Sequence, residues 1–201
     1  TDIYKRIGNL SATKPRSLTD SVNTLLPEIM ALDDSFRDAC YERIYKLSDS
    51  IREPVVKIKL LNDLALYDKK NLMNYLHDVI RISERSGLDN ELFWAYNGLA
   101  YYFKSTNILD SAMFYGLKAR TIVKSDNSGG IVSVNLLVAD LYYWARIYDK
   151  AEMLYKEVLE IKGDTSQFRT WICSTTTNNL GMIELNRKSY DKACEDRKSV
   201  V

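Results

Sequence analysis

Few residues of this sequence have the types and spacing that enzymatic chemistry requires. The single histidine, His77, has no Cys, Ser or carboxylate partner at a motif spacing, and Ser128-Gly129-Gly130 lacks the lysine and spacing of a phosphate-binding loop. No Gly-x-Ser-x-Gly, His-Glu-x-x-His or EF-hand pattern occurs. We therefore predict that the chain is not an enzyme and has neither catalytic residues nor a cofactor.

The cysteines give no indication of a metal site. Cys40, Cys173 and Cys194 form no Cys-x-x-Cys motif and no Cys/His cluster, which excludes the usual zinc-binding spacings and a disulfide framework. An odd number of cysteines fits free thiols that are used as small core residues. We therefore predict no metal site.

Composition and charge exclude several classes of protein. The chain has 201 residues with 46% hydrophobic residues, as in a folded globular protein. Its 28 Lys and Arg residues nearly balance its 27 Asp and Glu residues. Such a balance argues against a nucleic-acid binder, since nucleic-acid affinity depends on neutralising phosphates. No apolar run approaches the roughly 20 residues that span a bilayer, so we also expect no membrane insertion by this sequence.

The elements that position the remaining candidate residues are helices. Gly (8) and Pro (3) are scarce, and a helical pattern begins near Ser17, so residues 1–17 are predicted to form an irregular lead-in and residues 18–201 one all-α domain. Asp33-Asp34 is expected to cap a helix. The predicted helices are 18–31, 34–50, 54–67, 70–86, 89–104, 108–123, 131–145, 148–162, 166–185 and 188–201. Short joints between them indicate about five antiparallel helix pairs.

An internal repeat places small residues where paired helices must approach closely. The pairs Ala100/Ala112, Ala139/Ala151 and Gly181/Ala193 are each separated by twelve residues. Large residues surround these small ones at helical spacing, as packing between two antiparallel helices requires. The spacing therefore predicts three helix pairs with the same packing register.

These offsets resemble the tetratricopeptide repeat, whose pattern places aromatic, Leu-Gly, Tyr, Ala, Phe and Ala residues in this order. The matching segments are 93–126, 132–165 and 174–201. The sequence departs from the family pattern at Glu184, Gly116 and Arg197, where the family has large aromatic residues. The resemblance implies a right-handed α–α superhelix, and because the sequence stops inside the third repeat we expect it to belong to a longer protein.

The resemblance also implies a concave groove lined by the first helix of each pair. The positions that correspond to this groove are Trp94, Asn97, Tyr101, Lys104, Leu136, Asp140, Tyr143, Trp144, Asn178 and Met182. An aromatic-rich groove with a few polar anchors suits a protein or peptide segment, although the same aromatics could instead pack between helix pairs. Lys104 is opposed by Asp140, which argues against a clamp for a carboxylate tail.

The repeats are similar to those of sensor regions in bacterial signalling and regulatory proteins. This similarity implies a non-enzymatic interaction module for signal transduction or scaffolding, in the periplasm, binding a protein or peptide segment. The alternative is a cytoplasmic peptide-responsive regulator whose array controls a separate output domain. Whether the module is a homodimer stays open at this point.

Overall fold

A computed structural model describes residues 2–10, 15–161 and 167–198, and within these ranges it contains helices and no strand. The helices are α1 (Asp2–Asn9), α2 (Pro15–Met30), α3 (Asp34–Leu47), α4 (Pro54–Tyr67), α5 (Leu72–Ser86), α6 (Asp89–Ser105), α7 (Leu109–Ile122), α8 (Ser128–Trp144), α9 (Tyr148–Glu160) and α10 (Gln167–Lys198), with a short 3₁₀ turn at Ser48–Ser50. The predicted all-α class is therefore confirmed for the described part of the chain.

The chain divides into two compact units, residues 1–99 and 100–201, where the sequence led us to expect one domain from residue 18. Within the first unit α4 packs against α5 and α2, and within the second α8 packs against α7 and α9, and α9 against α10. Apart from α2 and α4, which are separated by α3, these packed helices are neighbours in sequence, as in an α-solenoid.

The prediction of an irregular lead-in over residues 1–17 is wrong for its described part. Residues 2–9 form α1, and α2 already begins at Pro15, where a proline in the first turn leaves no intrahelical hydrogen bond unmade. Ile7 is fully buried and Leu10 is 9% exposed. Ile3, Ile7 and Leu10 follow the i, i+4, i+7 spacing of a helix, but this pattern covers only about two turns, which is short for a prediction from periodicity. Residues 11–14 lie outside the described residues.

The C-terminal part also differs from the prediction, because α10 replaces the two helices expected at 166–185 and 188–201. The segment Leu185-Asn186-Arg187-Lys188 contains neither Pro nor Gly, so nothing in it stops a helix.

Gly181 was predicted to be a point of close helix approach. It is exposed instead, and a Cβ atom built on it meets nothing within 4 Å. Val200 and its neighbours from 199 onward, like the joint 162–166, lie outside the described residues, as does the side chain of Ala193.

The first two repeats have the packing that the sequence predicted. Ala100, Ala112, Ala139 and Ala151 are all fully buried. Gly116 adds a close approach of α7 to α8, since a Cβ atom on it would lie 3.1 Å from Val138 Cγ2. The prediction of small residues at the helix crossings is therefore confirmed for these two repeats.

Three helix-to-helix turns share the same backbone geometry, and the first is at Gly87 after α5, with a φ of 65° and Leu88 N–H donating to Ser83 O at 3.0 Å. Asn107 follows α6 and Arg146 follows α8, and both have a φ of 60°. In each turn the next N–H reaches back five residues, from Ile108 to Phe103 O (2.8 Å) and from Ile147 to Tyr142 O (2.8 Å). This is the left-handed helix end of the Schellman type, which reverses the chain after one residue. The two repeats therefore share their turn as well as their alanines.

The N-termini of α3 and α8 both differ from the prediction. Asp33 stands at the N-cap of α3 but makes no side-chain capping hydrogen bond, contrary to the expected role of this aspartate. Asn127 does cap α8, accepting from Gly130 N at 2.8 Å, so that α8 begins at Ser128 and not at 131. The two glycines thus belong to the first turn of the helix, where Asn127 supplies the missing acceptor.

None of the described helices is both long enough and apolar enough to cross a membrane. In the same ranges, no group of three or more His, Cys, Asp or Glu side chains is placed to hold a metal ion.

Candidate binding surface

The predicted groove residues lie on three helices. Trp94 and Asn97 are in the part of α6 that belongs to the first unit, and Tyr101 and Lys104 are in its continuation in the second unit. The second unit also contains the rest of the predicted residues: Leu136, Asp140, Tyr143 and Trp144 on α8, and Asn178 and Met182 on α10.

Four of these residues form a contiguous cluster in the second unit: Tyr101, Lys104, Asp140 and Trp144, here called the Trp144 cluster. Lys104 Nζ forms an ion pair with Asp140, and the two side chains are 18% and 27% exposed. The same ammonium lies 5.0 Å from the centre of the Trp144 ring and 6.0 Å from that of Tyr101. The expected opposition of Lys104 by Asp140 is therefore confirmed, and both aromatic rings flank the cation.

The acidic member of the cluster is held from several helices. Asp140 accepts a hydrogen bond from the Tyr155 hydroxyl on α9 at 2.5 Å and from Asn179 Nδ2 on α10 at 3.3 Å. Asn179 also donates to the Tyr155 oxygen at 3.1 Å. Burial, and then the bond to Asp140, raise the pKa of Tyr155 above its ordinary value, so this hydroxyl remains a donor. Asp140 is thus fixed in place by neutral donors as well as by Lys104.

Tyr155 and Asn179 were not among the predicted site residues. Tyr155 is fully buried. The signal that could have found Tyr155 is chemical: a buried phenol needs an acceptor, and Asp140 was the carboxylate on the predicted neighbouring helix. Asn179 could not be distinguished from Asn178 by sequence. The structure leaves Asn178 exposed and turns Asn179 toward Asp140.

The aromatic rings of the cluster remain open to solvent. Tyr101 is 41% exposed and Trp144 is 47% exposed. The Tyr101 hydroxyl donates to the Ser133 carbonyl at 3.4 Å, a long bond that ties α6 to α8. Both rings lie on helices and contact a part-buried ammonium, so their positions are largely set before any ligand arrives.

The other predicted residues have different surroundings. Asn97 is only 4% exposed, so its side chain faces the interior and not a groove. Trp94 is 45% exposed and packs its ring edge-on against Phe93, with centroids 4.8 Å apart. Leu136 is half-buried.

Tyr143 and Met182 are joined through α10. The amide of Asn186 donates to the Tyr143 hydroxyl at 3.1 Å and to the Met182 carbonyl at 2.8 Å. The Met182 side chain is 43% exposed. Tyr143 itself is half-buried against Tyr148, so it packs between helices in the way that the alternative interpretation of the aromatics expected.

The chemistry of the Trp144 cluster suits contact with apolar or aromatic groups. Its only cation is already paired with a carboxylate, and that carboxylate already accepts from three donors. An acidic ligand would have to compete with Asp140 for Lys104. The exposed ring surfaces are the part of the cluster that is free to bury new area.

Comparison with known proteins supports the fold of this chain but identifies no family. No family model matches the sequence, and no curated protein matches it. Among solved structures, the crystal structure of BtubC (BKLC) from P. vanneervenii is similar, with 23% sequence identity, a TM-score of 0.66, and coverage of 98% of this chain and 89% of that one. This chain has the all-α fold of helices stacked in pairs, as an α-solenoid does.

Proposed function

We propose that this chain is a non-enzymatic helical-repeat module that binds a protein or peptide segment, with the Trp144 cluster as its contact surface. The observation that carries the proposal is the pair of solvent-exposed rings, Tyr101 and Trp144, fixed on two helices around one ion pair. Large aromatic side chains of this kind supply most of the energy at protein interfaces. The resemblance to tetratricopeptide repeats supports the same function.

Binding would use ring surface that is already in position. Because Lys104 contacts both rings and Tyr101 is tied to Ser133, little side-chain freedom remains to be lost when a partner binds. The partner gains affinity by laying an apolar or aromatic side chain against the rings. Since Asp140 neutralises Lys104, the preferred segment is apolar or aromatic and not an acidic tail.

In its wider role, the module would serve as the sensory or scaffolding segment of a bacterial signalling or regulatory protein, in the periplasm. This part of the proposal is supported by the resemblance of the repeats. Binding of the partner segment would then transmit a signal or hold proteins together, and the module would catalyse no reaction.

The test is selection of binding peptides from a random displayed library, followed by affinity measurement on defined variants. The double substitution Tyr101→Ala and Trp144→Ala should lower the affinity for the best peptide by at least about tenfold, since each ring contributes exposed contact area. Phe114→Ala is the matched control, because Phe114 is an equally exposed aromatic (54%) on α7 outside the cluster. This control should keep the affinity of the unaltered chain.

Three results would contradict the proposal. Peptides that bind the double variant as well as the unaltered chain must contact another surface. Loss of the cooperative thermal transition in the double variant would mean that these rings are core residues, although both are more than 40% exposed. Selection of predominantly acidic peptides would contradict the expected preference for apolar segments.

A further inference from the structure

The first unit contains an open cavity that is distinct from the Trp144 cluster. Its volume is about 360 Å³, near the lower end of the range of small-ligand pockets. Its walls come from the end of α2, the first two turns of α3, and the end of α4 with the turn that follows. The lining residues are Met30, Asp34, Arg37, Asp38, Tyr41, Tyr67, Asp68, Lys69 and Lys70.

Tyr41 is an unsatisfied polar group in the wall of this cavity. The residue is 2% exposed, and its hydroxyl has no hydrogen-bond partner among the described residues. The groups that act electrostatically on this hydroxyl are Arg37, Asp38, Tyr67 and Asp68, and all four line the same cavity. Tyr41 itself is one of the residues that line the cavity. Burial raises the pKa of Tyr41, which leaves the hydroxyl protonated and able to donate.

A buried hydroxyl without a partner points to a ligand that brings an acceptor. Leaving a buried donor unpaired costs free energy, so such groups are rare in folded proteins. Its carboxylate neighbour, Asp68, is 3% exposed and already accepts from Tyr75 Oη at 2.6 Å and from Asn71 Nδ2 at 2.9 Å. The acceptor that Tyr41 lacks is therefore not supplied by any of the residues that the structure describes.

The charges around the cavity determine what kind of acceptor fits. Arg37 pairs with Asp34, Lys70 Nζ lies 2.6 Å from Asp38, and Lys69 bonds only a backbone carbonyl, that of Ala65. Three cationic and three anionic side chains line the cavity, so their formal charges cancel. A simple anion would meet the three carboxylates, and a simple cation would meet Arg37 and the two lysines. A small ligand with one charge of each sign complements both.

We propose that this cavity binds a free α-amino acid. Its carboxylate accepts from the Tyr41 hydroxyl and from the Arg37 guanidinium, where it competes with Asp34. Its ammonium faces the carboxylate of Asp38, where it competes with Lys70. This binding site goes beyond the proposed function of the second unit, because it assigns a small-molecule ligand to the first.

The experiment is calorimetric titration of the full chain with each of the common L-amino acids. The best of them is then compared with its N-acetyl derivative, which lacks the ammonium, and with its amide, which lacks the carboxylate. Each derivative is expected to bind at least about tenfold more weakly, since each loses one charged hydrogen-bonding group. Tyr41→Phe is expected to lower the affinity for the amino acid by about tenfold, because it removes one hydrogen-bond donor.

Tyr45→Phe is the matched control for the tyrosine variant. Tyr45 lies one turn further along α3, and its hydroxyl donates to Asp78 outside this cavity. Affinity for the amino acid should be unchanged in this variant. If Tyr41→Phe fails to fold, Arg37→Gln is the second variant, since its side chain is 31% exposed and lies in the cavity wall.

Each of three results would overturn the proposal. The first is that none of the amino acids binds measurably at about 10 mM. The second is that the N-acetyl derivative or the amide binds as tightly as the free amino acid, which would show that the cavity accepts a single charge. The third is that Tyr41→Phe, or Arg37→Gln in its place, keeps full affinity, which would place the amino acid elsewhere.

Discussion

Each of the two compact units buries a tyrosine hydroxyl against an aspartate, but the two aspartates are compensated differently. In residues 1–99, Asp68 accepts from Tyr75 Oη at 2.6 Å and is 3% exposed, and no lysine or arginine in the described part of the chain forms an ion pair with it. In residues 100–201, Asp140 accepts from Tyr155 Oη at 2.5 Å and also pairs with Lys104, with its side chain 27% exposed.

The difference shows how one local chemistry can serve two purposes. The donors to Asp68 come from Asn71 and Tyr75, within seven residues along the chain, so this carboxylate mainly fixes the turn between α4 and α5. The donors to Asp140 come from α6, α9 and α10. Asp140 therefore joins elements that are far apart in sequence, and through Lys104 it also fixes the exposed aromatic rings.

The largest expected effect follows removal of the more deeply buried carboxylate. Asp68→Ala leaves the buried Tyr75 hydroxyl and the Asn71 amide without their acceptor, and should lower the free energy of unfolding by about 3 kcal/mol. Urea denaturation would measure this change. Asp34→Ala is the control, because that side chain is 88% exposed and should change the value by no more than about 0.5 kcal/mol.

Asp140→Ala should destabilise by a smaller amount, about 2 kcal/mol, because water can reach the partly exposed site and replace part of the lost bonding. The same urea experiment applies, and Asp149→Ala, at a side chain that is 96% exposed, is the matched control. A loss equal to or greater than that of Asp68→Ala would reverse the comparison between the two aspartates.

Lys104→Met would make Asp140 resemble Asp68, with neutral donors and no cation. Since the ion pair is partly exposed and Met retains most of the apolar contact with the rings, the free energy of unfolding should fall by about 1 kcal/mol or less. Lys188→Met, which removes an exposed pair with Glu184, should have almost no effect. A loss well above that of Asp140→Ala would show that Lys104 and not the neutral donors holds the site together.

The smallest effect at neutral pH comes from the ionisation of the two buried tyrosines, because it changes stability only at alkaline pH. Burial, and then the bond to the aspartate, raise the pKa of both Tyr75 and Tyr155 above the ordinary value of 10.0. Because the folded chain holds these protons more tightly than the unfolded chain, the stability they contribute is complete below pH 10.0 and is lost as the pH rises above it.

Tyrosinate absorbance during an alkaline titration measures this behaviour. Tyr75→Phe and Tyr155→Phe should each remove one late-titrating group, and the chain unfolded in urea should show none. If either variant kept all the late-titrating groups of the unaltered chain, the corresponding Tyr–Asp bond would not persist in solution.

The sequence predicted the paired helices well where a small residue recurs at a fixed spacing. Ala100 and Ala112 in one repeat, and Ala139 and Ala151 in the next, are buried as the spacing required. The same reasoning was wrong at Gly181, since a glycine is equally compatible with a close contact and with an open helix face. It was also wrong for the short α1, whose apolar pattern covers only about two turns.

The surroundings of the candidate surface residues were predicted only in part, because sequence position does not determine how a helix is rotated in the packed structure. Sequence position assigned Tyr101, Lys104, Asp140 and Trp144 to one face, and the structure brings them together. It could not indicate that Asn97 is buried, or that Asn179 and not Asn178 reaches Asp140. A rotation of a few tens of degrees about a helix axis decides such choices, and it depends on the packing of the neighbouring helices.

By itself, then, the sequence determined the helical class, most helix boundaries and the small residues at the crossings, because these follow from interactions between residues close along the chain. Only the tertiary structure decided which polar groups meet. Tyr155 contacts Asp140, and Tyr41 is left without a partner at a cavity, because side chains from separate helices are brought together, or kept apart, by packing. Local periodicity determines where a helix can form, whereas chemistry between helices depends on how they pack.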